Sequence, residues 1–148
     1  SNNANLTTIS EEAFYDNAIK NITFRNNIKL TSIGEQAFYS NAIEGLLDLT
    51  GAPNVSLSAS SIFAYNQITG VKYNGTILGQ QIFANNNFTS IDFNLMPNLT
   101  DIYARAFLSN NSLTTVNLEV LKRLKTIGSG AFGHCALTSI KFPNINFI

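Results

Sequence analysis

Six phenylalanines, Phe14, Phe38, Phe63, Phe83, Phe107 and Phe132, stand at intervals of 24, 25, 20, 24 and 25 residues. A recurrence of this length restricts the chain to a solenoid, in which each repeat is one coil stacked on the next. The residues around each phenylalanine recur with it. Eight positions upstream stands Leu6, Leu30, Val55, Leu99 or Leu124, five upstream Ile9, Ile33, Leu78, Ile102 or Ile127, and directly before it Ala13, Ala37, Ala106 or Ala131. Downstream comes an apolar residue (Ile19, Ile43, Ile68, Phe88, Leu113, Leu137), another about three later (Ile22, Leu46, Val71, Ile91, Val116, Ile140), and an alternating third such as Phe24, Tyr73, Phe93, Leu118 or Phe142.

Segments such as Ile22-Thr-Phe24 and Ile91-Asp-Phe93 alternate and are β-branched or aromatic, which predicts a short strand in each copy. Strands from successive copies, about 4.8 Å apart, would form one parallel sheet along the coil. Two residues before the first apolar position of that strand lies a column of Asn17, Asn41, Asn66, Asn86 and Asn111, ending in Cys135. A coil that turns a corner inside a stack buries backbone groups with no sheet partner, and these must be satisfied by something. The amide side chain has donors and an acceptor for that task; a thiol is the compact alternative with a weak donor.

The segments Ile33-Gly-x-x-Ala37-Phe38-x-x-Asn41 and Ile127-Gly-Ser-Gly-Ala131-Phe132-Gly-His-Cys135-Ala-Leu137-Thr-Ser-Ile140-Lys-Phe142-Pro143 resemble the BspA-like leucine-rich repeat. The resemblance spans residues 6 to 145, with its clearest motifs in the second, fifth and sixth copies. It implies a β-rich leucine-rich-repeat solenoid of the α/β type, with about six coils, one parallel strand per coil and short irregular or helical turns. It further implies a non-catalytic adhesion or protein-binding module of a bacterial cell surface, secreted or anchored, that recognises host or neighbouring-cell macromolecules without a cofactor. The rival reading is a stalk or spacer of a larger surface protein.

Departures from the pattern carry their own expectations. Ser58 and Gly75 stand where other copies have isoleucine or leucine, and in those two copies Ile62 and Ile82 replace the small alanine. Bulk lost at one wall would then be returned at another, keeping the interior volume constant. The second copy has one extra residue in Leu46-Leu-Asp48-Leu49, for which a bulge would return Asp48 to solvent. The fifth has its extra residue at Asn110-Asn111.

Net charge is zero over nine basic and nine acidic residues, which gives no lead towards nucleic acid, an anionic membrane or metal sequestration. The basic stretch Lys122, Arg123, Lys125 reads as a solvated outer turn. A single cysteine excludes an internal disulfide, and the chain contains neither an apolar run long enough to span a membrane nor a signal peptide at Ser1-Asn2-Asn3-Ala4. Neither end shows the polar cap that repeat arrays use for solubility. The expectation is one repeat domain, residues 1–148, of a longer surface protein whose signal and anchor lie outside it.

His134 neighbours Cys135, yet adjacent residues in an extended corner point apart, so a nucleophilic pair or a zinc site is not indicated. Gly128-Ser-Gly130 lacks the lysine of a phosphate-binding loop and reads as a turn. Asn-x-Ser/Thr matches at Asn5, Asn21, Asn74, Asn87, Asn98 and Asn110 follow from a composition rich in asparagine and threonine. Tyr15, Tyr39 and Tyr65 form either an interaction stripe or a shield over an outer turn. The outward positions of the expected sheet, Thr23, Lys72, Asp92, Asn117 and Lys141, are polar and mixed in sign. They are the candidate ligand-binding residues, for a protein or glycan partner.

Overall fold

The computed structural model describes residues 3–143 as a stacked series of six coils with almost no helix. The elements in chain order are β1 (Thr8–Ile9), β2 (Ser32–Ile33), β3 (Glu44–Asp48), β4 (Gln67–Lys72), β5 (Ile77–Leu78), a 3-10 turn at Phe93–Leu95, β6 (Asp101–Ile102), β7 (Thr115–Asn117), β8 (Thr126–Ile127) and β9 (Ser139–Lys141). All pairing is parallel. The expected parallel β-solenoid of about six coils is present, and its strands fall into two ladders on different sides of the coil. One ladder links β1–β2, the bridges Ser32–Ser56 and Leu57–Leu78, and β5–β6–β8, so it touches every coil. The other is split into β3–β4 and β7–β9.

The breaks in the second ladder have local causes. Ile22-Thr-Phe24 forms no strand, because hydrogen bonds between coils 1 and 2 stop at Glu44 to Lys20 and resume at Asn27 to Gly51. Between them the register of β3 shifts at Gly45/Leu46, with Gly45 in the left-handed region at φ 73°. This is the expected bulge, and Asp48 is exposed as anticipated. It also turns Leu46 out to 51% exposure and puts Leu47 and Leu49 into the core in its place. In coil 4 the Asp92 carboxylate accepts the Asn94 N–H at 3.0 Å, and this local turn replaces the strand expected at Ile91–Phe93.

Between the ladders lies the corner that carries the repeat. The phenylalanine rings run as one column, Phe14 to Phe38 to Phe63 to Phe83 to Phe107 to Phe132, with centroids 5.1 to 6.0 Å apart. Those of the middle coils, Phe63, Phe83 and Phe107, are wholly buried. On either side of each phenylalanine, two residues before and two after, the backbone is left-handed: Glu12 and Asp16, Gln36 and Ser40, Ser61 and Tyr65, Gln81 and Asn85, Arg105 and Ser109, Gly130 and His134. Only one of the twelve is glycine, so the conformation carries a steric cost that the surroundings must overcome. They do so because it aims alternate N–H groups at the next coil. Glu12, Phe14 and Asp16 donate to Glu35, Ala37 and Tyr39, and the same trio recurs between every pair of coils.

Asparagines close what this ladder leaves open. Asn66 Nδ2 donates to the carbonyls of Phe38 and Phe63, at 2.9 and 3.2 Å, and its Oδ1 accepts the Ile43 N–H at 3.0 Å. Asn41 does the same for its coil, and Asn86 does so with the Ala84 carbonyl in place of that of Phe83. In the fifth coil the expectation of Asn111 is corrected to Asn110. Asn110 is fully buried and bonds Phe83, Phe107 and Phe88, whereas Asn111 is exposed. An inserted residue separates the amide from the strand in this coil, and every member of the column lies three residues after its phenylalanine. Asn17 is exposed and reaches only the Tyr15 carbonyl. Cys135 donates its thiol to Phe107 C=O at 3.4 Å but offers no amide acceptor, and the Leu113 N–H turns to Asn110 C=O in its own coil. The inserted Asn111 makes that turn possible.

The volume-compensation expectation gives way to two direct replacements. The slot assigned to Ser58 is filled by Leu57, fully buried and bridged to Leu78, while Ser58 is exposed. At Gly75 the Tyr73 ring covers the backbone so closely that a β-carbon would collide with it, and its hydroxyl accepts the Leu57 N–H at 3.1 Å. Tyr73→Phe keeps the ring but strands that buried N–H, so urea unfolding should show a loss of about 1 to 3 kcal/mol. Ile62 is fully buried in its own right; Ile62→Ala should cost about 2 to 5 kcal/mol in the same measurement.

Candidate recognition face

The side chains opposite the core on the second ladder form one polar column. Each of Thr23, Lys72, Asp92, Asn117 and Lys141 is flanked by two residues of the inward apolar set, such as Val71 and Tyr73 about Lys72 or Val116 and Leu118 about Asn117. In the strands at Lys72, Asn117 and Lys141 alternation turns the side chain away from the core; Thr23 and Asp92 lie in no strand and are exposed. Asn117 and Lys141 are register partners across β7–β9. The bulge in β3 adds a sixth member, Asp48, the register partner of Lys72.

Two grooves open on this column where the ladder is interrupted. The larger, about 690 Å³, lies between coils 1 and 2 and is lined by Ile22, Thr23, Arg25, Leu46, Asp48 and Thr50 among others. The smaller, about 250 Å³, lies between coils 4 and 5 around Asp92, Asn94, Asn117 and Val120. Thus Thr23, Asp92 and Asn117 stand at groove walls, while Lys72 and Lys141 line neither. Arg25 and Thr50 escaped the sequence reading because they lie outside the alternating segment, whereas Leu46 was expected at an inward apolar position and is exposed. The one signal pointing to them was the extra residue of the second copy.

The charges on the face differ in how far they are engaged. Asp48 accepts the hydroxyl of Thr50 at 2.6 Å and its N–H at 2.9 Å, which together hold the carboxyl below the ordinary aspartate range; Lys72, 3.9 Å away, adds a smaller effect. Such an exposed pair contributes little to stability. Asp92 is occupied as the cap of the 3-10 turn. Arg25 makes no hydrogen bond or ion pair among the described residues, so its guanidinium is available at the wall of the larger groove.

A different side of the coil carries the tyrosines. Tyr15 stacks on Tyr39 at 5.2 Å and Tyr39 meets Tyr65 at 5.0 Å, tilted by 47°. Burial, then the neighbouring Tyr65 and Tyr15, raise the Tyr39 phenol above its ordinary pKa. His134 is exposed and left-handed, and the Cys135 thiol points to backbone carbonyls. Of the seven Asn-x-Ser/Thr positions, Asn54 among them, Asn110 is fully buried and the other six are exposed. Among the described residues no group of three or more His, Cys, Asp or Glu side chains could hold a metal ion, and no helix is long and apolar enough to cross a membrane.

Burial also raises the Cys135 pKa, partly offset by the backbone of Asn110. A raised thiol pKa in the fold means that its contribution is complete below the ordinary thiol range and lost as pH rises through the shifted value. The urea midpoint should therefore fall as pH rises above the ordinary thiol pKa of about 8.5. Cys135→Ala should lessen that fall.

The geometry of a six-coil parallel stack with a phenylalanine in each corner and an asparagine in the first five agrees with the family comparison. The model described as BspA type Leucine rich repeat region matches residues 1–89 and 59–148, in six copies. The chain belongs to the BspA-type leucine-rich repeat family. BspA-type repeats are in general surface or adhesion-related modules, and the leucine-rich solenoid typically serves as a non-catalytic protein-interaction scaffold. No curated protein and no solved structure matches the chain.

Proposed function

We propose that this BspA-type array is a non-catalytic adhesion module, displayed at a cell surface or secreted, that binds a host or neighbouring-cell protein or glycan through the column from Thr23 to Lys141. The observation that carries the reading is the pair of grooves on that column, at Thr23/Arg25/Asp48 and at Asp92/Asn117. Ligand sites are concave, with a few placed polar groups beside apolar ones. The larger groove has that composition in Arg25, Thr23 and Thr50 beside Ile22 and the exposed Leu46. No step of such binding calls for a cofactor.

The test is saturable binding of the purified chain to arrayed extracellular-matrix proteins, mucins and glycans, repeated with Arg25→Glu/Lys72→Glu. Asp92 is left intact because it caps a turn. Binding that the double substitution abolishes, at unchanged circular dichroism, supports the proposal. Binding that is indifferent to the substitution removes the site from this face, and absence of binding to any arrayed partner favours a spacer.

A further inference from the structure

The short fourth coil leaves one backbone amide free beside an exposed asparagine, and we propose that Asn74 is a self-modifying site, converting through a cyclic imide with Gly75 to isoaspartate. Phe63 and Phe83 are only 20 residues apart, and the residues missing from this copy are those of the turn before Gly75. In every other copy the residue eight before the phenylalanine donates its N–H to the carbonyl three residues back: Leu6 to Asn3, Leu30 to Asn27, Val55 to Ala52, Leu99 to Met96 and Leu124 to Leu121. Gly75 holds that place in the fourth coil, and its N–H has no acceptor among the described residues.

The next link is missing as well. Thr31, Ser56, Thr100 and Lys125 each donate their N–H to the coil before, at Thr7, Thr31, Thr76 and Thr100, whereas the equivalent Thr76 N–H does not reach Ser56. A cleft of about 190 Å³ opens there between Pro53, Asn54 and Ser56 on one wall and Gly75 and Thr76 on the other. Solvent base and water therefore reach the amide. The Asn74 side chain is exposed and makes no hydrogen bond among the described residues; only its carbonyl is held, by Asn98 Nδ2 at 3.0 Å.

The chemistry needs no other group. The Gly75 nitrogen gives its proton to solvent base and attacks Cγ of Asn74. The new C–N bond closes a five-membered imide as the Cγ–Nδ2 bond breaks and ammonia leaves. Water then opens the ring. Attack at Cγ gives aspartate, and attack at the Asn74 main-chain carbonyl gives isoaspartate, in which the chain runs through the former side chain. Glycine is the residue that least hinders the closure, having no Cβ and the widest backbone freedom. The fold also requires it, because a β-carbon at Gly75 would collide with the Tyr73 ring. The isoaspartyl link lengthens the chain by one CH₂ between Tyr73 and Gly75, so it lifts the glycine from that ring and loosens the Tyr73 hydroxyl from the buried Leu57 N–H.

The test is to age the purified chain in warm, mildly alkaline buffer, native and in urea, and to follow it by peptide mass mapping and by labelling with an isoaspartyl methyltransferase. The native chain is expected to gain about 1 Da at Asn74 and to accept the methyl label. Asn111, exposed but followed by Ser112, should lag behind. The urea midpoint should fall as the label accumulates. Asn74→Gln, whose longer side chain closes the ring poorly, should keep its circular dichroism, its midpoint and its mass. Conversion in urea but not in the native chain overturns the proposal, since the fold would then hold the pair apart. Conversion at Asn111 as fast as at Asn74 does so too, because the freed Gly75 amide would play no part. An aged chain that carries the label but keeps its original midpoint overturns the loosening of the junction.

Discussion

Replacing Asn66 with leucine is expected to cost on the order of 3 to 5 kcal/mol, a large part of the roughly 5 to 15 kcal/mol by which a native protein is stable. Leucine has similar bulk, so the loss is not one of packing. It strands the buried Ile43 N–H and takes one of two amide hydrogen bonds from each of the Phe38 and Phe63 carbonyls, which keep those from Asn41 and Asn86. The same substitution at Asn17, exposed and bonded only within its own coil, should change the urea midpoint by no more than about 0.5 kcal/mol. Equal losses at the two positions would mean that the amide acts locally and does not join coils.

The second large effect lies in the aromatic column. Phe83 is wholly buried and meets Phe63, Phe88 and Phe107 at 6.0, 5.8 and 5.6 Å. Phe83→Ala should cost about 3 to 5 kcal/mol. Because a solenoid is stabilised coil by coil against nearest neighbours, a void in the middle should also uncouple the two halves. Hydrogen exchange should then show protection in coils 1 and 2 and in coils 5 and 6 lost at different denaturant concentrations. Phe14→Ala, at the open end of the column, should leave a single transition and a smaller loss. A single unchanged transition in the Phe83 variant would show that coupling runs through the backbone ladders instead of the rings.

Much of the fold is legible in the residues, for a physical reason. A solenoid repeats one packing problem, so each inward slot is written several times and a chance substitution in one copy is outvoted by the others. Phe38, Phe63 and Phe107, or Asn41, Asn66 and Asn86, could be read as columns without knowing where any of them lies. Reading failed where copies differ in length. The insertion at Asn110-Asn111 moved the buried amide one residue from where strand-based counting put it. Likewise Leu57 took the slot assigned to Ser58, and Leu47 with Leu49 displaced Leu46 from the core. The candidate face was legible as an alternation, but its grooves were not, since they arise where one coil parts from the next.

The sequence by itself determined the period, the architecture and the identity of the residues that each coil must bury, because these follow from apolar spacing that every copy restates. The tertiary structure alone decided the left-handed corners at residues such as Gln36, Tyr65 and Arg105. None of these residue types favours that backbone region; they adopt it because the corner N–H groups find acceptors only on the neighbouring coil. It also decided where the ladder splits, and with it the walls of the grooves. Those features belong to the contact between coils, and no single repeat contains them.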